Sequence, residues 1–307
     1  MHNSNKNITK KITNKEIENI VKKYKSKKIN DKNQNVFFAF TLNNTRVTIY
    51  KSNKILFQGI DSEDVFNIVF NNKKHIDTSE RIFQKKLLDN QIGSDEVGVG
   101  DYFGGISVAA VLVNKEDIQK LKTLKIKDSK KLNDLEIQKI AKQIEKIKIK
   151  SVFNVLNPLE YNKLFEKYKN AHIIKTYLHN KTISELIQKY TIDLKNCSII
   201  MDQFANRKNY ENYINVINPK NKIKIDIFET KGESKYISIA TASILARNAW
   251  LNSIANLEKK LGLKIYLGSS NSKILNVAEF IYKKYGLDQL KTYVKLHFSF
   301  TNKIINK

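Results

Sequence analysis

The sequence predicts an α/β protein in which a small, basic α+β domain precedes a larger α/β domain with a mostly helical end. Among its 307 residues, 55 Lys and Arg stand against 30 Asp and Glu, a formal net charge of +25. Short runs rich in Val, Ile, Phe, Tyr and Thr occupy residues 36–58, and strand-like and helix-like patterns alternate after residue 90. We therefore expect a first domain over residues 1–75, a linker over 76–89 and a second domain over 90–307.

The composition favours a folded protein that binds a polyanion. The hydrophobic share of 41% is too high for a disordered polycation, so the positive charge belongs to a folded surface. Cys197 is the only cysteine, which excludes an intramolecular disulfide framework and a Cys-based zinc finger. The longest apolar run, Ile106–Val113, is far shorter than the ~20 residues that span a bilayer. We expect no membrane segment and a reducing, cytoplasmic location.

In the first domain the pattern changes from helical to strand-like and back. A lysine-rich amphipathic helix is predicted over Lys10–Lys32 from apolar residues near helical spacing. Three strands follow, at Val36–Phe40, Arg46–Tyr50 and Lys54–Gln58, joined by Asn-Asn and Ser-Asn turns. A second helix is predicted over Ser62–Phe70.

In the second domain short apolar runs alternate with longer helical patterns. The run at residues 198–202 is that of a buried strand, and it ends on an acid. The predicted strands are Ile92–Val97, Ile106–Val113 and Ser198–Asp202, and the predicted helices are Asp134–Ile147, Ala171–Tyr190, Ile237–Leu261, Val277–Tyr285 and Gln289–Leu296.

A cluster of glycines marks a candidate site. Five of the ten glycines lie between residues 93 and 105, in a segment where the adjacent acids Asp95 and Glu96 precede a Gly-x-Gly turn. The turn lacks the further glycine or Gly-Lys-Ser/Thr of a nucleotide-phosphate loop, so the acidic pair favours a divalent metal site. Neighbouring side chains on a strand point to opposite faces, and both acids can serve one site only if the strand twists or ends there.

Two further acids have settings that suit a metal site. Asp202 ends the apolar strand of residues 198–201, where a buried carboxylate is costly without a metal or a hydrogen-bond partner. Glu233 lies at the entrance to the helix predicted over Ile237–Leu261. Glu233 has an alternative interpretation, as a first-turn acid favoured by the helix dipole.

A set of motifs extends along nearly the whole chain. The first domain contains Tyr50-Lys-Ser-Asn-Lys-Ile-Leu-Phe-Gln-Gly59. The other motifs are Gly93-Ser-Asp-Glu-Val-Gly-Val-Gly-Asp-Tyr-Phe-Gly104, Asp128-Ser-Lys-Lys-Leu132, Leu178-His-Asn180, Asp202-Gln-Phe-Ala205, the segment 230–247 and Lys295-Leu-His-Phe298. Together these motifs resemble the ribonuclease HIII family, which the motif of the first domain separates from ribonuclease HII.

The resemblance implies a fold and an activity. The fold is an RNase H-like catalytic domain, with a mixed sheet flanked by helices and a helical C-terminal part, after a small α+β TATA-binding-protein-like domain. The activity is endonucleolytic hydrolysis of the RNA strand of an RNA/DNA hybrid, leaving 5′-phosphate and 3′-hydroxyl ends, with two Mg²⁺ or Mn²⁺ ions ~4 Å apart. The family's four metal-binding acids correspond to Asp95, Glu96, Asp202 and Glu233, and type II enzymes have Asp in the last place.

The resemblance also indicates how substrate is bound. The turn Gly98-Val99-Gly100 is expected to read the ribose 2′-hydroxyl through backbone groups, although Val99 replaces the family's usual Thr. In the first domain, lysines on a flat sheet face are expected to hold an A-like duplex, with Phe57 on the opposite face. The other candidate contacts are Ser129, Lys130, Lys131 and Asn180 in the second domain, and Tyr50, Lys51, Lys54 and Gln58 in the first.

Other functions stay open at this point. A ribonuclease HII-like nuclease that acts on junctions or single ribonucleotides would carry similar acids, as would a transposase-like or Holliday-junction nuclease. A non-catalytic nucleic-acid-binding protein would explain the charge of +25, but not four acids where they repel the ligand unless metal is bound. No periodic apolar seam indicates an oligomer, so we expect a monomer with no obligate protein partner.

Overall fold

The chain divides into two compact units, residues 1–81 and 82–307. The computed structural model describes residues 7–31, 33–42, 45–59, 61–70, 90–124, 126 and 132–306. The linker predicted over 76–89 lies outside these residues. None of the helices in the described ranges is long and apolar enough to cross a membrane.

The first unit contains a four-stranded antiparallel sheet. Its strand order is β1-β4-β3-β2, and the three strands expected from the sequence are confirmed. On β4 the side chains alternate, with Ile55 and Phe57 fully buried between exposed Lys54 and Gln58. The elements are β1 (Ile8–Lys11), α1 (Asn14–Tyr24), β2 (Val36–Leu42), β3 (Thr45–Tyr50), β4 (Lys54–Gly59) and α2 (Ser62–Val69).

The helix expected over Lys10–Lys32 is wrong at both ends. Its first residues belong to β1, where Lys10 pairs with Ile55 of β4. The helix begins only after Thr13, whose hydroxyl accepts from the Glu16 N–H while the Glu16 carboxylate accepts from the Thr13 N–H. It ends at Tyr24, whose ring stacks on Phe40 with 4.5 Å between centroids.

The second unit contains a five-stranded mixed sheet in the order β7-β6-β5-β8-β9. β5, β6 and β7 are antiparallel neighbours, whereas β5, β8 and β9 run parallel. The strands are β5 (Asn90–Val97), β6 (Ile106–Asn114), β7 (Lys150–Leu156), β8 (Ser198–Asp202) and β9 (Ile227–Glu229). The helices are α3 (Lys115–Thr123), α4 (Asp134–Lys146), α5 (Pro158–Tyr168), α6 (Ala171–Tyr190), α7 (Arg207–Ile217), α8 (Ile237–Leu261), α9 (Ser272–Leu290) and α10 (Ser299–Ile305).

Helices α8 and α6 cover opposite faces of β5. At Gly93 the strand lies so close to α8 that an added Cβ would stand 2.2 Å from the Ser238 carbonyl carbon. The next residue, Ser94, instead contacts His179 of α6. Successive residues of β5 therefore face α8 and α6 in turn, and this alternation continues toward the acids at its end.

The C-terminal part differs from the sequence expectation. The predicted helix over Gln289–Leu296 is wrong, because α9 already ends at Leu290, after a left-handed residue at Gly286 (φ 78°). The chain beyond it returns to the glycine-rich segment, where the Lys295 N–H donates to the Tyr102 carbonyl at 2.9 Å and Val294 forms a bridge with Phe103. β7, β9, α3, α5, α7 and α10 have no counterpart among the predicted elements.

Candidate active site

Three of the four predicted acids line one cavity at the ends of β5 and β8. The cavity has a volume of about 470 Å³ and contains the side chains of Asp95, Glu96 and Asp202. Ser243 and Arg247 of α8 line the same cavity. β5 ends one residue after Glu96, which lets two acids from opposite faces of the strand reach one site.

Asp95 is buried on the α8 side of the sheet. One carboxylate oxygen accepts the Glu96 N–H at 2.8 Å, and the Ser243 side chain also hydrogen-bonds to it. Burial, and then the negative charges of Glu96 and Asp202, raise the pKa of Asp95 well above its usual value. A cation bound among these carboxylates would offset both causes.

Glu96 is bound by two side chains of α6, a lysine and a histidine. Lys175 Nζ donates to Glu96 Oε1 at 3.1 Å, and His179 Nε2 lies 3.0 Å from Oε2. Burial opposes ionisation of Glu96, but the His179 hydrogen bond and charge, together with Lys175, outweigh it and lower the pKa of Glu96 to about 2. The two adjacent acids therefore have opposite electrostatic surroundings.

The His179 ring is held from two other directions. Ser94 Oγ lies 2.7 Å from His179 Nδ1 and 3.0 Å from the Ala109 carbonyl oxygen, and it hydrogen-bonds to both. These contacts fix the orientation of the ring beside Glu96. Phe204 stacks on the ring with 5.5 Å between centroids and lies 4.2 Å from Lys175 Nζ.

Asp202 and Glu233 are linked through a backbone turn. The Gly232 N–H donates to Asp202 Oδ1 at 2.7 Å, at the start of the 3₁₀ turn Gly232–Ser234 that carries Glu233. The Glu233 side chain is buried, with 7% of the residue exposed. A Cβ at Gly232 would stand 2.4 Å from the terminal carbon of the Ile239 side chain, which places this turn directly against α8.

The chemistry of this donor set fits hard divalent cations. Carboxylate oxygens are the ligands that Mg²⁺ and Mn²⁺ prefer, and the raised pKa of Asp95 reflects first its burial and then the nearby negative charges of Glu96 and Asp202. Within the ranges that the structure describes, no three Asp, Glu, His or Cys side chains are already arranged to hold an ion.

The glycine turn follows directly after β5. Gly98 has a φ of +92°, and a Cβ there would stand 2.2 Å from Trp250 Nε1, so glycine is required by packing and conformation. Gly100 has open space within 4 Å of an added Cβ. Among the described residues, the N–H groups of Val99 and Gly100 make no hydrogen bond, which leaves two backbone donors at the turn.

Of the other predicted contacts of the second unit, Asn180 lies in the described part of the chain, and its side chain binds a loop. Asn180 is buried, its amide donates to the Asn221 carbonyl at 2.9 Å, and its side-chain oxygen accepts the Ile223 N–H at 2.9 Å. The contacts of Asn180 therefore hold the loop before β9. The predicted phosphate contacts Ser129, Lys130 and Lys131 lie outside the described residues.

The predicted contacts of the first unit fall in two places. Lys54 and Gln58 alternate with buried residues and share the exposed face of β4. Tyr50 and Lys51 line a depression of about 360 Å³ with Asn14 of α1 at one end of the sheet.

Sequence reasoning missed the roles of Lys175, His179 and Arg247, although two of the three lie within quoted motifs. Lys175 and His179 are four residues apart among the buried residues of α6, and this spacing is the signal that the sequence offers. Arg247 lines the cavity while donating to Asp134 of α4 at 2.7 Å.

The fold and the site together define the class of the second unit as a metal-dependent nuclease of RNase H-like fold. A family model described as Ribonuclease HII matches residues 92–301, and one described as Domain of unknown function (DUF3378) matches residues 7–77. Ribonuclease HIII of Ureaplasma parvum is 35% identical over 97% of this chain and 98% of its own length. Ribonuclease HIII of Phytoplasma mali is 37% identical over 86% and 96%. The chain belongs to the ribonuclease HIII family.

Solved structures agree with this membership. Bst-RNase HIII in complex with Mn²⁺ is 29% identical with a TM-score of 0.67, and the match covers 98% of both chains. Aquifex aeolicus RNase H3 is 27% identical with a TM-score of 0.54 over 95% of this chain and 100% of its own. The ribonuclease H2 of Pyrococcus horikoshii, at 20% identity and TM-score 0.58 over 71% and 97%, shares the fold. The family and the fold expected from the sequence are therefore confirmed.

Proposed function

We propose that the protein is an endoribonuclease that cleaves the RNA strand of RNA/DNA hybrids and leaves 5′-phosphate and 3′-hydroxyl ends. The observation that carries the proposal is the cavity in which Asp95, Glu96 and Asp202 meet, immediately before a glycine turn whose Val99 and Gly100 N–H groups have no acceptor within the described part of the chain. Carboxylates without a cation would repel a polyanion, so this arrangement supports metal-dependent cleavage more than simple binding.

The four acids would hold two divalent cations, Mg²⁺ or Mn²⁺. When bound, such a pair activates water and stabilises the leaving oxygen in phosphodiester hydrolysis. Asp95, which is acted on by the charges of both Glu96 and Asp202, would help to hold the two ions. Glu233 is fixed beside Asp202 by the Gly232 hydrogen bond, which brings the fourth acid to the same end of the sheet.

Recognition of the sugar falls to the backbone of the glycine turn. The Val99 and Gly100 N–H groups are available to a 2′-hydroxyl, a group that RNA has and DNA lacks. Lys54 and Gln58, with Tyr50 and Lys51, supply duplex contacts in the first unit. Ser129, Lys130, Lys131 and Asn180 stay predicted contacts. The protein acts as a cytoplasmic monomer without an obligate partner.

The test compares labelled substrates with and without Mg²⁺ or Mn²⁺. We expect cleavage of an RNA/DNA hybrid only with metal, and no cleavage of duplex DNA or duplex RNA. Cleavage of a DNA duplex that contains a single ribonucleotide tests for a ribonuclease HII-like activity. Binding of hybrid without any cleavage would support a non-catalytic protein. Cleavage of duplex DNA would contradict ribose reading.

The acids are tested by Asp95→Asn, Glu96→Gln, Asp202→Asn and Glu233→Gln. Each is expected to lower turnover at least ~100-fold while the fold and hybrid binding persist, because each removes a charge that stabilises the transition state only through bound metal. Glu211→Gln, an exposed acid on α7, is the matched control. Near-normal activity of Glu233→Gln would remove it from the metal set.

A further inference from the structure

Glu96 reaches the site from the α6 side of the sheet, whereas Asp95 reaches it from the α8 side. The Glu96 carboxylate therefore has to be directed toward the end of the sheet by something other than the strand. The structure shows both of its oxygens bound, one to Lys175 and one to His179. The two donors lie one helical turn apart on α6.

Both donors are themselves fixed. His179 is fully buried, and its second ring nitrogen is bound to Ser94, which is bound to β6 through the Ala109 carbonyl. The Lys175 side chain is 8% exposed and lies against the ring of Phe204, two residues after Asp202. The donors have little freedom to follow a moving carboxylate, so they define one orientation for it.

We propose that Lys175 and His179 are positioning residues that hold the Glu96 carboxylate in the orientation in which it receives a divalent cation. Each carboxylate oxygen has two lone pairs, and each donor uses one, so every Glu96 oxygen keeps one lone pair for metal. Groups that hydrogen-bond to a metal ligand raise metal affinity by fixing the orientation of that ligand. Their loss lowers metal affinity or activity about 10- to 100-fold.

The competing explanation is a buried ion pair that only stabilises the fold. A buried pair is a weak source of net stability, because desolvation of both charges offsets their attraction. The two explanations predict opposite changes in metal affinity. Removing a positive charge beside Glu96 would, by electrostatics alone, tighten cation binding, whereas loss of orientation weakens it.

The experiment measures Mn²⁺ binding to the full-length protein without nucleic acid, by the electron paramagnetic resonance signal of free Mn²⁺. Lys175→Met removes the donor and keeps the stem, and His179→Phe removes both donors and keeps the ring against Phe204. Lys181→Met is the matched control, since Lys181 lies on the same helix and is exposed. Circular dichroism and thermal unfolding report whether each variant is folded.

We expect Lys175→Met and His179→Phe each to weaken Mn²⁺ binding about 10-fold or more relative to Lys181→Met. On an RNA/DNA hybrid, kcat falls while KM for the hybrid is unchanged. His179→Gln, whose amide can still donate to Glu96, retains tighter binding than His179→Phe. It also replaces His179→Phe in the measurement if that variant does not fold, and Lys175→Gln does the same for Lys175→Met.

A double-variant cycle shows whether the effect passes through Glu96. In a Glu96→Gln background, Lys175→Met is expected to cause no further loss of Mn²⁺ affinity. A second loss of similar size in that background would overturn the proposal. Unchanged or tighter Mn²⁺ binding by folded single variants would also overturn it.

The inference rests on the proposed role of Glu96 as a metal ligand, and the same data separate the two. If Glu96→Gln alone binds Mn²⁺ and cleaves hybrid like the unaltered protein, the proposed ligand set fails. If Glu96→Gln weakens binding but the α6 variants do not, only the positioning role fails.

Discussion

Replacing the buried Lys295 with Met is expected to change how the stability of the second unit depends on pH. Lys295 is fully buried, and its ammonium donates to the carbonyls of Gly104 at 2.9 Å and Gly105 at 3.2 Å. The rings of Tyr161 and Phe298 lie 5.7 Å from Nζ. Burial, opposed in part by the charge of Asp101, lowers the pKa of Lys295 from 10.5 to about 7.

This difference in pKa sets the size and the sign of the effect. A change from 10.5 to about 7 corresponds to roughly 5 kcal/mol at 1.36 kcal/mol per pKa unit. Below pH 7 the lysine is charged in both folded and unfolded chains, and its charge destabilises the folded state. Between pH 7 and 10.5 the unfolded chain binds more protons, so the free energy of unfolding rises with pH, by at most ~1.4 kcal/mol per pH unit.

The Met variant lacks this dependence. At pH 6.5 it avoids the cost of roughly 5 kcal/mol but leaves the Gly104 carbonyl without its donor, which costs about 1–3 kcal/mol. Gly105 keeps the Trp250 Nε1 donor at 3.3 Å. We therefore expect Lys295→Met to be about 2–4 kcal/mol more stable at pH 6.5, and this advantage to shrink as pH rises to 9.

The assay is urea unfolding between pH 6.5 and 9, followed by tryptophan fluorescence. The chain has one tryptophan, Trp250. It lies in a buried hydrophobic cluster with Val294, the residue before Lys295, so the signal reports on the second unit. Lys283→Met, at an exposed position of α9, is the control and should leave the pH dependence unchanged. Parallel pH profiles for Lys295→Met and the unaltered protein would refute the reasoning.

Three further outcomes are expected. Gly100→Val should fold, because the space around Gly100 is open, but it should strongly lower hybrid cleavage. Val99→Ala should change hybrid cleavage little, and cleavage rates measured together with circular dichroism check both expectations. A chain beginning at Ile82 should still cleave hybrid but bind it at least ~10-fold more weakly. The slope of log K against log salt should be flatter by about 0.9 for each phosphate contact that is lost, and equal slopes for the two chains would contradict this expectation. Gly93→Ala should lower unfolding free energy by about 3 kcal/mol or more, since its Cβ meets α8 backbone, and an unchanged urea midpoint would contradict that.

Elements with a strong local pattern could be predicted from the sequence. β8, α6 and α8 begin and end at the predicted residues. β8 is a short, nearly continuous buried run, and α6 and α8 are long segments with apolar residues at helical spacing. β1 could not be predicted. Its four residues alternate too briefly to signal a strand, and they are extended because β4 offers them a partner.

The residues of the candidate site are likewise predictable from the sequence only where a local pattern marks them. The acids stand beside local signals, namely the glycine cluster for Asp95 and Glu96 and the end of an apolar strand for Asp202. The groups that act on Glu96 come from a helix about 80 residues later, and nothing near them in the sequence indicates an acid. Asn180 and His179 lie in the same motif, but the His179 side chain reaches Glu96, whereas the Asn180 amide binds the Asn221 carbonyl.

The residues just before the acids explain why each acid meets its own helix. A slip of β5 by one residue would turn Asp95 toward α6 and Glu96 toward α8, because strand side chains alternate. Gly93 resists such a slip, since any Cβ at its position would strike the α8 backbone at 2.2 Å. Ser94 resists it from the other face, where its hydroxyl joins His179 to β6. Packing on one face and a hydrogen bond on the other thus place Asp95 among the carboxylates and Glu96 beside Lys175 and His179.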